Sequence, residues 1–210
     1  RGHRPEEAIA DAARAAVPTS LGMLALLHAY GASKSLGVHV RAAVARIRKQ
    51  EEAVPRARFL EAYARRGPIV LSESGVSRAL IQRSGPAAGG LLTEEDLASA
   101  RPADEGAAFA PLVDEVELAT SPWPAPESPR DAMVIVAADL RGVVAALAYV
   151  PDPGGISIPD MALTLSRDGE PVLRSVPRVT PGTARPAPLP IGVLRRADGW
   201  HAAVGVTGAR

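Results

Sequence analysis

The sequence predicts an α+β fold with its helices first and an antiparallel β segment after them. Three observations lead there. Apolar residues recur at helical spacing through roughly the first hundred residues, and the spacing shortens to strict alternation after about residue 105. Two Asp-Gly pairs, Asp168-Gly169 and Asp198-Gly199, then separate alternating apolar runs.

Each helical element has its own local reasons. Residues 5–17, PEEAIADAARAAV, open with Pro5 and two glutamates. That suits a helix N-terminus through the fixed φ of proline and the positive end of the dipole. Residues 20–30, SLGMLALLHAY, begin at Ser20, a good N-cap, and are apolar nearly all round, so a buried helix is expected. Residues 38–50 place Val40, Val44 and Ile47 on one face, with Arg41, Arg46, Arg48 and Lys49 to the sides as a solvated surface, the alternative being a surface for an acidic partner. Shorter helices are expected over 58–66 and 74–84. A further helix starts at Thr93-Glu94-Glu95-Asp96, over 94–100. There Thr93 can accept from the N3 amide, three acids face the dipole, and Leu92 and Leu97 sit where a hydrophobic staple closes.

The second half reads as strands. Residues 114–120, DEVELAT, alternate. The runs 132–138 and 143–149 are expected to pair antiparallel around Leu140-Arg141-Gly142, and 191–196 with 200–206 around Asp198-Gly199. MALTLS and EPVLRSV are expected to pair around Asp168-Gly169. Asp-Gly suits a type I′ turn, whose two central residues need positive φ. The Pro-rich stretches 121–129 and 177–190 are surface loops, because proline has no amide hydrogen for a central ladder. The division expected is a helical segment 1–105 and a β segment 106–210 in one combined domain.

Composition narrows the function classes. With 47% hydrophobic and 3% aromatic residues the core must be aliphatic, and the chain is not a disordered one. A formal net charge of +1 gives no electrostatic footprint for nucleic acid. The absence of cysteine excludes disulfides and thiolate chemistry. No apolar run reaches the roughly 18–20 residues of a membrane span. Arg1–Pro5 carries no initiator methionine and no signal-peptide pattern, so a piece of a longer protein is expected. The four histidines show no second histidine or acid at metal-ligand spacing, so no metal site and no cofactor is expected. Gly154 and Gly155 could cradle an anion on their amides, against the plainer reading of a turn into the next strand.

Four stretches in order make the chain resemble the gamma-glutamyltranspeptidase family. They are VPTSLGMLALLHAYG at 17–31, GGLLTEEDLASARP at 89–102, the Pro-rich SPWPAPESP at 121–129, and AMVIVAADLRGVV at 132–144 followed by MALTLSRDGEPVL at 161–173. The resemblance covers roughly a third of the chain and implies an N-terminal-nucleophile fold, a four-layer αββα sandwich. Residues 1–105 would correspond to the family's large subunit and 106–210 to its catalytic subunit. The chain is well under half the family's usual length, so an incomplete sandwich is expected. Its open sheet edge would invite a homodimer or a missing companion segment. The family transfers or hydrolyses the γ-glutamyl group of glutathione-like amides, which makes γ-glutamyl compounds the ligands to consider. Its nucleophile is a threonine freed by self-cleavage, whose own α-amine, of near-neutral pKa, serves as base.

Carried across, the family's Thr-Thr-His-x-Ser-Val-Val-Asp falls on Ala132 through Asp139, and only Asp139 and the following Gly142 agree. Ala132 has no nucleophile, and Ser128, the nearest serine, is followed by Pro129 within a proline loop. The oxyanion-hole glycines of Ser-Pro-Gly-Gly-Ser fall on Arg178 and Val179, whose side chains block close approach of backbone amides. The serines that hold the substrate carboxylate fall on Pro159 and Asp160. An anion at Asp160 would repel that carboxylate by about 1–4 kcal/mol at about 4 Å. The resemblance therefore implies a divergent member without catalytic residues, in a structural or binding role or as a gene fragment. The alternative is an amide hydrolase or transferase of γ-glutamyl compounds with a rearranged site. Gly154, Gly155 and Asp160 are the candidate binding residues.

Overall fold

The structure is a computed structural model that describes residues 10–102, 104, 106–120, 133–149, 152, 154–167 and 191–205. It is an α+β chain whose strand pairings are all antiparallel among the described residues. Among the described residues five α-helices come first: α1 (Ser20–Gly31), α2 (Leu36–Ile47), α3 (Val54–Arg66), α4 (Ser74–Ser84) and α5 (Glu94–Ser99). Eight strands follow among the same residues: β1 (Ala110–Val113), β2 (Val116–Thr120), β3 (Met133–Ala138), β4 (Val144–Tyr149), β5 (Ile156–Ile158), β6 (Leu163–Leu165), β7 (Ile191–Arg196) and β8 (His201–Gly205).

The described residues divide into two compact units, 10–102 with 152–167, and 104–149 with 191–205. The sequence reading places the division at 105, whereas β5 and β6 belong with the helices. Apolar burial explains this. Ile158, Met161 and Leu165 are buried in the same cluster as Phe59, Tyr63, Val70, Leu71, Leu80, Leu92 and Leu97. Burying a side chain of that size stabilises by about 1.5–3 kcal/mol, so this short strand pair completes the helical core.

Within the helical unit, α3 starts with Pro55 in its first turn and ends on Arg65 and Arg66, near the negative end of its dipole. Phe59 and Tyr63, four residues apart, share its buried face. The start of α5 forms as the sequence predicts. Asp96 N donates to Thr93 Oγ1 at 3.2 Å, and Thr93 N donates to Asp96 Oδ2 at 2.8 Å, a reciprocal capping box. Leu92 and Leu97 are both buried in the core below it.

Three helical expectations are corrected. Residues 5–9 lie outside the described residues, and 10–17 hold only a 3-10 turn at Asp11–Arg14, flanked by extended backbone at Ala10 and Ala15. Thr19, not Ser20, occupies the N-cap of α1, and its side chain makes no capping hydrogen bond. Helix α1 also buries none of its residues, and Leu24, Leu27 and Tyr30 stay exposed. Its inner side lies against the 3-10 turn Gly67–Ser72, and Tyr63 Oη donates to Leu21 O at 2.8 Å. An all-round apolar helix needs partners on every side to be buried, and the described residues supply them on one side.

In the other unit, β1, β2, β7 and β8 form one four-stranded sheet in that order, and β3 and β4 form a separate hairpin. The consecutive meander is therefore broken, because β2 pairs with β7 across a long stretch of sequence. Two of the three hairpins read from the sequence are present, with Ile135 opposite Leu147 and Val193 opposite Ala203. Their turns are not type I′. Only Gly142 (φ 82°) and Gly199 (φ 88°) take positive φ there, each closing a three-residue loop. A turn with two positive φ values occurs instead at Asp114 (43°) and Glu115 (63°), inside the stretch read as a strand at 114–120. The expected pairing of MALTLS with EPVLRSV falls outside the described residues at 168–176, and β6 pairs with β5.

Candidate functional site

Gly154 and Gly155 lie in the turn that leads into β5. Asp152 organises this turn as an Asx motif: its Oδ1 accepts from Gly154 N at 3.2 Å, and its carbonyl accepts from Gly155 N at 3.0 Å. The opposite side of the turn is closed by Arg167. Its backbone N donates to Asp152 Oδ2 at 2.8 Å, and Nη2 reaches Oδ1 at 3.3 Å. Asp11 adds a second carboxylate 3.8 Å from Arg167 Nη1.

The backbone hydrogen bond from Arg167, with the guanidinium beside it, holds the Asp152 carboxyl below the usual carboxylate range. The hydrogen bond to Asp152 in turn raises Arg167. Such a carboxylate stays ionised and saturated, so it is a poor proton acceptor. The guanidinium already answers two acids. Neither glycine amide points free into a cradle, so the turn does not form the anion site considered from sequence. The glycines serve close packing instead. A Cβ on Gly154 would lie 2.1 Å from Arg167 Nη2, and one on Gly155 would lie 2.4 Å from Leu165 O.

Asp160 is exposed on the 3-10 turn Pro159–Met161 that joins β5 to β6. The next turn residue but one, Ala162, takes a left-handed φ of 47°, and Arg56 Nε of α3 donates to its carbonyl at 2.7 Å. The structure thus places Gly154, Gly155 and Asp160 on one strand pair, and it gathers only the two glycines around a common partner. Sequence reasoning missed Asp152 and Arg167. The signal for the first was the Asp-Pro-Gly-Gly turn, whereas Arg167 is brought in by β-pairing. Ala132, Ser128, Arg178 and Val179 lie outside the described residues.

Elsewhere, a cleft of about 680 Å³ opens beside the Asp114–Glu115 turn, lined by residues 111–117 and 195–197. In its wall Arg195 Nε donates to Glu117 Oε2 at 2.6 Å, and the Arg195 guanidinium lies 3.8 Å from the Phe109 ring centroid. Among the described residues no helix is long and apolar enough to cross a membrane. No protein-family model matches the chain, and no curated protein or solved structure is similar to it at a significant level.

Proposed function

We propose that this chain is a divergent, non-catalytic relative of the gamma-glutamyltranspeptidases, acting as a structural or binding protein within an αββα-type framework. The observation that carries this reading is alanine at position 132, where the resemblance requires the threonine that is at once nucleophile and source of the base. The Gly154–Gly155 turn supports it. Its amides are engaged by Asp152, and so offer no ready substitute for the oxyanion donors lost at Arg178 and Val179.

Mass spectrometry of the purified chain tests this. Without a hydroxyl at Ala132 no N→O acyl shift can begin there, so a single species of 21.8 kDa is expected after days of incubation. A new N-terminus at Ser128 would revive the hydrolase reading. Self-association belongs to the same proposal. Met133 and Tyr149 face each other across β3–β4, and with Ile135 they leave an exposed apolar row. Light scattering should show a dimer, and a monomer at all concentrations would remove that part.

A further inference from the structure

We propose that His28 and His39 form a two-histidine site for a late first-row divalent cation such as Zn²⁺. His28 lies in the last turn of α1 and His39 near the start of α2, eleven residues apart in sequence. The connection between the helices folds them together, with ring centroids 5.6 Å apart and ring planes at 75°. Sequence spacing gives no hint of this, because the rings belong to different helices and meet only once the connection at 32–35 has folded.

Two features suit the pair to a metal. His28 Nε2 bonds the Lys34 carbonyl oxygen at 2.8 Å. A carbonyl can only accept, so the hydrogen sits on Nε2 and the lone pair of neutral imidazole is left on Nδ1. A ring nitrogen fixed on a backbone carbonyl, with the other nitrogen bare, is the usual state of a metal-ligating histidine. The spacing also fits. With metal–nitrogen bonds of about 2.1 Å and a ring nitrogen about 1.1 Å from its centroid, two imidazoles on one tetrahedral ion have centroids about 5 Å apart. The observed 5.6 Å is within reach of that through the soft terminal torsions of the rings.

His39 is exposed and His28 is half-buried, so an ion can enter without opening the core. Among the described residues no group of three or more histidine or acidic side chains converges, so the remaining coordination positions fall to water or a small ligand. Binding is then moderate and exchangeable. Its structural effect is to fasten α1, which buries none of its residues, onto α2.

The test is a Zn²⁺ titration of the full chain, followed by calorimetry, by the histidine ring signals in NMR, and by thermal melting. One ion per chain should bind at submillimolar zinc, the His28 and His39 signals should shift together, and Tm should rise with zinc concentration. His39→Ala, at an exposed position, should weaken binding about tenfold or more and remove the Tm rise. His28→Ala should do the same, while His201→Ala should leave both intact. Circular dichroism establishes that each variant is folded. Unchanged zinc affinity in folded His39→Ala, or the lack of any saturable binding, would overturn the proposal.

Discussion

Arg167 closes over Gly154 so tightly that a single added carbon on the glycine would lie 2.1 Å from the arginine Nη2. The arginine is held there by Asp152, so the contact cannot relax without loosening that ion pair. At the neighbouring Gly155 the obstacle is backbone, the Leu165 carbonyl at 2.4 Å.

This contrast predicts an order of stabilities. Gly155→Ala should destabilise by about 1–3 kcal/mol, because the β5–β6 pair must move. Gly154→Ala should cost less, about 1 kcal/mol, since a side-chain end can swing away. In an Arg167→Ala background the Gly154→Ala penalty should shrink, and a double-mutant cycle by urea denaturation measures the coupling. Equal penalties at the two glycines would contradict the described packing.

The assignment of β5 and β6 to the helical core gives a second expectation. Ile158 is 1% exposed in the middle of that core, and Ile158→Ala should cost about 2–5 kcal/mol. Thr164, exposed on the same strand pair, should tolerate alanine within about 0.5 kcal/mol. Chemical denaturation of the two variants checks this. A small effect at Ile158 would return the strand pair to the β unit.

Acid should loosen the β7–β8 turn in a defined window. The Arg196 guanidinium, helped by the Trp200 backbone N–H, holds the Asp198 carboxyl down from 3.8 to about 2. A carboxyl depressed in the folded state stabilises above its unfolded value, and that contribution is lost as pH falls through the folded one. The loss therefore runs from about pH 4 to about pH 2. An NMR titration of the Asp198 side chain should give a midpoint near 2, and Asp198→Asn should remove this part of the acid dependence. A midpoint near 3.8 would show that the turn contact does not persist in solution.

What the sequence made legible was chemistry carried by near neighbours. The Thr93–Asp96 box spans three residues, and the β3–β4 and β7–β8 hairpins are marked by glycine at their turns. What it hid depends on distant partners. The exposure of α1 follows from what packs on it, which an apolar run cannot state. The Asp114–Glu115 turn takes positive φ without glycine, so no turn residue announced it. At the candidate site, Gly154 and Gly155 were visible as a turn and Asp152 stands within it, but the closure of that turn by Arg167 depends on β5–β6 pairing. The approach of His28 to His39 is likewise a property of two helices together.

The most direct test of the non-catalytic reading is release of the aniline from a γ-glutamyl anilide by the native chain. Loss of one oxyanion donor alone costs about 10²–10³ in rate, and loss of the nucleophile places turnover near the uncatalysed background. Release should equal the buffer blank, and Ala132→Thr alone should not raise it, because Arg178, Val179 and Asp160 remain. Release above the blank that disappears in Ser128→Ala would contradict the account.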